Sequence, residues 1–201
     1  MKTTIKNKYY FYSYLIILII GSGLFYFKTY GLIGVYLILP FALFLLILGV
    51  IIIVGAARQL KSRLASSLIQ IITTSLLFIL LVTGQITRFY ETIDWHMNYR
   101  LRMEVVSNII SGDLAVSEDK SQNVFKLPDN YRQLSNGGNE IMLYRNGDMI
   151  SIKFYTDRGF LDHFNAFYFT NDSSEIVKLD KRCKTQRANR KIEDNWYRIS
   201  Y

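Results

Sequence analysis

The residues best suited to chemistry form one polar cluster, Asp157-Arg158-Gly159 followed by Asp162-His163. Two carboxylates, a guanidinium and an imidazole on one loop between strands could bind a cation or an anionic group. Such a loop also needs Asp and Gly for its turn, and the spacing matches no strong metal template. We therefore take Asp157, Arg158, Asp162 and His163 as candidate ligand-binding residues, with a plain turn as the alternative.

No catalytic motif accompanies this cluster. The patterns Gly-x-Ser-x-Gly, His-Glu-x-x-His and Cys-x-x-Cys do not occur, although these are the spacings that assemble nucleophiles, zinc ligands and redox pairs. Cys183 is the single cysteine, so no intramolecular disulfide forms. Its neighbours Lys181, Arg182 and Lys184 could lower the pKa of its thiol. The sequence predicts a protein that is not an enzyme and that holds neither a metal nor a cofactor.

Short strand-like runs surround the cluster. Asn146-Gly147 predicts a two-residue hairpin turn, because both residues tolerate a positive φ. The strand at 163–170 has apolar residues on both faces, which predicts a central strand or a face that meets a partner. Weaker runs predict further strands at 176–179 and 196–201, with an edge strand at 124–125. The turn at Asn146-Gly147 would pair Arg145 with Asp148, Leu143 with Ile150, and Ile141 with Ile152.

An amphipathic helix precedes these strands and ends near Gly112. Its apolar residues recur every four positions from Phe89 to Ile109, a spacing typical of one helix face. Because a four-residue step drifts about 40° per repeat, the stripe winds around the helix. A helix packed on a sheet would use such a stripe. The apolar residues of this stripe are Phe89, Ile93, Met97, Leu101, Val105 and Ile109.

Three apolar runs occupy the first part of the chain, at about 9–27, 31–57 and 64–86. Each is long enough to cross the roughly 30 Å hydrocarbon core as a helix. Gly21 suits close packing between the first two runs. The third carries Ser67, Gln70 and Thr74 at helical spacing, which predicts hydrogen bonding between helices, with a polar path or a contact to a partner helix as the alternative. The third span is predicted to continue without a break into the amphipathic helix.

Charge gives these spans a direction. The first acid in the chain is Glu91, and the basic residues before it stand at the ends of the apolar runs. Three lysines precede the first run and three basic residues separate the second from the third, whereas only Lys28 lies between the first two. Because Lys and Arg favour the cytoplasmic side, the amino terminus is predicted inside and the carboxy-terminal domain outside the cell membrane. The composition, with only two prolines, favours a bacterial source.

The basic pI of the chain also arises mostly from the basic residues at the ends of the apolar runs. Residues 1–86 contain seven of the 24 Lys and Arg, so residues 87–201 carry seventeen against sixteen acids, a net charge of +1. This balance argues against nucleic acid as a partner. One basic run remains within 178–191. It is predicted to be a solvated face, with contact to an anionic surface as the alternative through Lys181, Arg182, Lys184, Arg187, Arg190 and Lys191.

Together these patterns predict a membrane α plus extracytoplasmic α+β protein. It has a cytoplasmic tail at 1–8, a three-helix transmembrane region at 9–86, and a domain at 87–201 with a long helix packed on a small antiparallel sheet. The first functional hypothesis is a non-enzymatic accessory or scaffold that binds the lipid bilayer and a protein partner, or its own copies. The alternative is an extracytoplasmic ligand sensor that signals through a partner.

Overall fold

The computed structural model describes residues 2–28, 31–114, 123–136, 139–158 and 164–201. The chain divides into a helical unit that ends at Thr92 and a sheet unit, Ile93–Tyr201. The helical unit contains α1 (Lys2–Lys28), α2 (Gly31–Arg58) and α3 (Leu64–Val82). Helix α4 (Gln85–Ser111) begins in the helical unit and continues in the sheet unit.

The helices of the first unit are apolar and largely uncovered. Among the described residues, Leu39–Arg58 and Leu64–Val82 are long and apolar enough to cross a membrane, and Tyr9–Leu24 is a shorter apolar helix. Only 22% and 17% of the two longer segments is buried, whereas the core helix of a soluble protein is apolar on the side that it buries. These helices therefore present apolar side chains outward.

Small and polar residues lie where these helices meet. A Cβ atom on Gly21 would stand 2.5 Å from Cζ of Phe41, so the missing side chain allows α1 to approach α2 as predicted. Ser67, Gln70 and Thr74 are all buried. The polar stripe of α3 therefore faces the interior of the helical unit, while the predicted hydrogen bonding between helices through these residues stays a prediction.

The predicted continuity of the third apolar run with the amphipathic helix is wrong. Helix α3 ends at Val82, and α4 begins at Gln85. Between them, Thr83 donates its backbone N–H to the carbonyl of Ile79 at 2.9 Å, and Gly84 adopts a φ of +71°. A glycine in this left-handed conformation is a common helix terminator. Gly84 was therefore the stop signal within an otherwise apolar run.

The sheet unit is built on six antiparallel strands among the described residues. Their order across the sheet is β1-β2-β3-β4-β6-β5. A 3₁₀ helix, Asp129–Leu134, lies between β1 and β2, and helix α5 (Ser173–Thr185) lies between β4 and β5. The strands are β1 (Val124–Lys126), β2 (Glu140–Asn146), β3 (Met149–Arg158), β4 (Phe164–Thr170), β5 (Arg190–Glu193) and β6 (Trp196–Ser200).

Each face of this sheet has its own apolar cluster. On one face, residues of α4 such as Val105 and Ile109 share a cluster with Ile152, Phe167 and Trp196. On the other face, Leu179 of α5 shares a cluster with Tyr168, Tyr197 and Ile199. Strand β4 is central, as predicted, because it pairs with both β3 and β6. The two clusters account for the apolar residues on both faces of β4 without an external partner.

The hairpin between β2 and β3 is present, but its register differs from the predicted one by two residues. Leu143 pairs with Ile152 instead of Ile150, so the turn residues are Gly147 and Asp148. Gly147 has a φ of +60°, and a turn with glycine in the first central position needs a positive φ there. Because side chains alternate with a period of two, this shift leaves the predicted faces unchanged.

The predicted strand at 176–179 is wrong, because these residues lie within helix α5. The side chain of Asp172 caps this helix by accepting a hydrogen bond from the backbone N–H of Ser174 at 2.8 Å. Asp172 followed by Glu175 has the spacing of a capping box, and this local signal outweighs the short apolar run that it precedes.

The winding stripe of α4 is buried at only one end. Val105 and Ile109 are fully buried, whereas Phe89 and Met97 are 59% and 72% exposed. Five steps of four residues turn the stripe by about 200° around the helix, so its two ends cannot face the same core. The prediction of a buried face is therefore confirmed for Val105 and Ile109 and wrong for Phe89 and Met97.

Candidate functional site

The structure describes only part of the predicted ligand-binding cluster. Asp157 and Arg158 are the last residues of β3, where they pair with Asn165 and Phe164 on β4. The side chain of Asp157 is exposed. Asp162 and His163 lie outside the described residues. The prediction that Asp157 and Arg158 lie on a loop is therefore wrong, since both belong to a strand.

A different arrangement stands out on the α5 face of the sheet. The ammonium of Lys153, on β3, is surrounded by four aromatic rings from neighbouring strands and from the residue that follows β6. The distances from Nζ to the ring centroids are 5.3 Å for Tyr144, 5.5 Å for Phe164, 5.1 Å for Tyr168 and 4.6 Å for Tyr201. We call these five residues the Lys153 enclosure.

Strand register assembles the enclosure. Lys153 pairs directly with Tyr168 on β4, and alternate residues of a strand share one face. Tyr144 pairs with Ser151, which is two residues from Lys153 and therefore on the same face. The backbone N–H of Tyr201 donates to the carbonyl of Phe164 at 2.8 Å, and their rings stack at 4.5 Å. Strands β2 and β4 and the residue after β6 thus bring four rings to the amine of Lys153 on β3.

The side chain of Lys153 is mostly buried, but its amine still reaches solvent and has no conventional partner among the described residues. The residue is 7% exposed, and burial lowers the pKa of its amine, a shift that Glu175 opposes and Arg182 reinforces. No described residue accepts a hydrogen bond from Nζ or forms an ion pair with it. Ring faces attract a cation by about 0.5–2 kcal/mol, but they leave the three N–H donors without an oxygen acceptor.

Two charged residues of α5 border the enclosure. Cζ of Arg182 lies 4.0 Å from the centroid of the Tyr201 ring, and its guanidinium donates to the carbonyl of Ser200 at 2.8 Å. The carboxylate of Glu175 accepts a hydrogen bond from the hydroxyl of Tyr168 at 3.4 Å. The enclosure is therefore lined by aromatic rings and bordered by one further cation and one anion.

The phenols of Tyr168 and Tyr201 remain neutral at physiological pH. Burial raises the pKa of the Tyr168 hydroxyl, and it also raises the pKa of Tyr201, although Arg182 partly opposes the second shift. A neutral phenol can donate a hydrogen bond, whereas a phenolate can only accept one. The surroundings of Lys153 thus combine one cation, one anion, neutral donors and apolar ring surface.

The alternation of side chains along a strand places Lys153 on the face opposite Ile150 and Ile152, but the sequence pattern gives this lysine no role. The sequence feature that indicates this arrangement is a set of aromatic residues on the same face of the sheet as Lys153. These residues are Tyr144, Phe164, Tyr168 and Tyr201. Aromatic residues at positions expected to be polar indicate that this face is covered rather than solvated. The pairing of β3 with β4 was needed to place them around one lysine.

The basic run of 178–191 is divided between α5 and β5. Arg182 is bound to Ser200 and Tyr201, as described above, and Lys191 forms an ion pair with Asp194 at 3.3 Å. Lys181, Lys184, Arg187 and Arg190 are exposed, as expected for a solvated face. Contact of these four side chains with an anionic surface stays a proposal.

The cysteine and the metal-ligating residues form no further site in the described part of the chain. Burial and Asp180 raise the pKa of the Cys183 thiol, while Arg182 lowers it. The predicted lowering by neighbouring basic residues is therefore outweighed by burial. Within the described ranges, no three His, Cys, Asp or Glu side chains come together as metal ligands would.

The chain matches no protein-family model, no curated protein and no solved structure. Its function therefore has to be argued from its own residues.

Replacing Lys153 with methionine should stabilise the sheet unit at neutral pH. Because the pKa of Lys153 is lowered on folding, the unfolded chain binds more protons between the folded and unfolded pKa values. The stability of the unaltered protein thus rises with pH across that window, and the advantage of the variant shrinks toward about pH 10. Denaturation of both proteins between about pH 7 and pH 10 measures this difference. Lys191→Met, at an exposed lysine, is the control, and a constant advantage of Lys153→Met would contradict the prediction.

Proposed function

We propose that the protein is a multi-pass membrane protein with three spans at about 9–27, 31–57 and 64–86. Two observations support this proposal. The helices of the first unit present apolar side chains outward over most of their length, and large exposed apolar surfaces require a cover of lipid or protein. The charges flanking them fall only at their ends, where a bilayer meets water.

The same charges support an orientation. Six basic residues flank the apolar helices on the side of the amino terminus and of the turn between α2 and α3. Because such residues are retained in the cytoplasm, we place the amino terminus inside and the sheet unit outside the cell membrane. Contact with the bilayer then belongs to the helical unit, and recognition belongs to the sheet unit.

We propose further that the sheet unit is a binding module, not an enzyme, and that the Lys153 enclosure is its binding surface. The observation that carries this proposal is the amine of Lys153, which four aromatic rings border and which has no oxygen acceptor among the described residues. Because the rings partly desolvate this amine, a ligand that supplies an oxygen acceptor would stabilise it. This favours the ligand-sensing hypothesis, in which the signal passes through a partner.

A protein partner is the second candidate, in keeping with an accessory or scaffold role. Met103 and Ile110 are 37% and 55% exposed, and their spacing of seven residues places them on one line along α4. Exposed apolar residues in such a row are common in interfaces. The apolar faces of β4 no longer favour this candidate, because α4 and α5 cover them.

A photoreactive residue at position 144 tests the binding surface. Tyr144 is 41% exposed, and its ring borders Lys153, so benzoylphenylalanine introduced there in the full chain should crosslink whatever occupies the enclosure in native membranes. Intact-mass measurement separates a small ligand from a protein partner by the size of the mass increase. Val177 of α5, which is 69% exposed, provides the control position.

We expect a crosslinked product from position 144, a loss of most of it in the Lys153→Met variant, and no equivalent product from position 177. A product that forms equally at both positions, or that persists when Lys153 is replaced, would count against the enclosure as the binding surface. If irradiation gives no product at position 144, the proposed function is wrong.

A further inference from the structure

We propose that the Lys153 enclosure binds a ligand with a single carboxylate attached to an apolar body, an inference that rests on the proposed binding function. The carboxylate oxygens would accept hydrogen bonds from Nζ of Lys153. The apolar body would lie against the surrounding rings. Three properties of the enclosure favour this class of ligand.

The first property is that the N–H donors of Lys153 have no oxygen acceptor among the described residues. Lys153 is more than nine-tenths buried, and its surroundings among the described residues are ring faces. Hydrogen bonds between an ammonium and an anionic oxygen are about twice as strong as neutral ones. A neutral ligand would satisfy the same donors more weakly, so the enclosure favours an anion.

The second property is the balance of charge. Lys153 and Arg182 contribute two positive charges, and Glu175 contributes one negative charge. Lys178 also approaches Glu175, at 3.2 Å, but its side chain is 71% exposed, so solvent screens its charge. The phenols of Tyr168 and Tyr201 are neutral. One net positive charge remains, and one carboxylate neutralises it, whereas a dianionic phosphate monoester would bring an excess negative charge.

The third property is the nature of the walls. The ring of Tyr144, which is 41% exposed, offers flat apolar surface beside the amine, and the half-buried rings of Phe164 and Tyr201 stack on each other next to it. Aromatic rings provide large contact areas for the apolar part of a ligand. A carboxylate without an apolar body, such as acetate, would lose this contribution.

Calorimetric titration of the full chain in lipid nanodiscs tests the proposal. Three carboxylate probes separate the sources of such a group: N-acetylphenylalanine for a peptide terminus, octanoate for an acyl chain, and acetate for a bare carboxylate. N-acetylphenylalanine amide is the neutral match, and phenyl phosphate is the dianion. The protein variants are Lys153→Met and, as the control, Lys191→Met.

We expect N-acetylphenylalanine or octanoate to bind at least tenfold more tightly than acetate and than the neutral amide. Lys153→Met should weaken this binding at least tenfold, and Lys191→Met should leave it unchanged within about twofold, since a charge-assisted hydrogen bond accounts for about tenfold or more. Whichever of these two probes binds more tightly shows whether the carboxylate belongs to a peptide terminus or to an acyl chain. In the unaltered protein, the same probe should protect Lys153 from an amine-acylating reagent, a measurement that needs no variant.

Equal binding of the acid and its amide, tighter binding of phenyl phosphate, or full affinity in the Lys153→Met variant would each overturn the proposal. Absence of binding by every carboxylate would also overturn it. If position 144 still gives a product that depends on Lys153, the binding module stands and its ligand belongs to another class. If that product is also absent, both proposals fail.

Discussion

Replacing Arg102 with methionine is expected to destabilise the sheet unit by about 3–5 kcal/mol, the usual cost of removing one partner from a buried ion pair. Arg102 is fully buried on α4. Its NH2 group donates to both carboxylate oxygens of Asp94 at 2.9 and 3.0 Å and to the carbonyl of Leu134 at 3.1 Å. Its guanidinium also lies 4.6 Å from the centroid of the Phe167 ring.

The methionine would keep most of the apolar stem of the arginine but none of its donors. The carboxylate of Asp94, which is 3% exposed, would lose its ion-pair partner, and the carbonyl of Leu134 would lose the hydrogen bonds from Arg102. A buried charge deprived of its partner is far more costly than the pair itself. The expected loss is therefore large although only one side chain changes.

The measurement can be made on the full chain, because its only two tryptophans report on the sheet unit. Trp95 and Trp196 lie in the same buried cluster, with ring centroids 5.0 Å apart. Tryptophan emission during chemical denaturation in detergent therefore follows the unfolding of this unit. Arg100→Met, at an exposed position on the same helix, is the matched control and should change the free energy of unfolding by less than about 0.5 kcal/mol.

A double variant separates the cost of an unpaired charge from the value of the pair. Replacing Asp94 with leucine in the Arg102→Met protein removes both charges, and apolar replacements of buried pairs are often neutral or stabilising. We expect the double variant to be more stable than Arg102→Met alone. If the two were equally unstable, the lost hydrogen bonds to Leu134 would explain the effect better than the loss of the ion pair at Asp94.

The parts of the fold that follow from local pattern were predictable. Runs of apolar residues long enough for helices, the alternation of the strand at 163–170, and a hairpin containing Gly147 all depend on neighbouring residues. The errors also arise locally. Gly84 interrupts a long apolar run and ends a helix there. The Asp172 cap begins a helix where a short apolar run predicts a strand.

The candidate site could not be predicted in the same way. Lys153, Tyr144 and Tyr168 lie on three different strands, and Tyr201 follows β6. Only the register of β2, β3 and β4 together with the course of the chain after β6 brings them together. The buried pair of Asp94 and Arg102 likewise depends on distant residues, because Arg102 also donates to the carbonyl of Leu134 and lies over the ring of Phe167. The sequence shows the chemistry of each side chain, but it does not show which side chains become neighbours in the fold.

The proposed topology makes an all-or-none prediction about labelling from outside the cell. In a Cys183→Ala background, a cysteine that replaces Lys184 on α5 should react with a membrane-impermeant maleimide on intact cells. A cysteine that replaces Ser62, in the turn between α2 and α3, should react only after the membrane is permeabilised. Both positions are exposed in the structure, so accessibility within the protein does not limit the reaction.

The physical reason is the distribution of charge around the apolar helices. Ser62 stands among Arg58, Lys61 and Arg63, and moving these charges across the bilayer is costly. Replacing Ser62 instead of one of them leaves the topological signal intact. The reverse labelling pattern would mean that the sheet unit lies in the cytoplasm, where the enclosure would meet a different set of ligands. Labelling of both positions on intact cells would mean that α3 does not cross the membrane, and the exposed apolar helices would then need a protein cover.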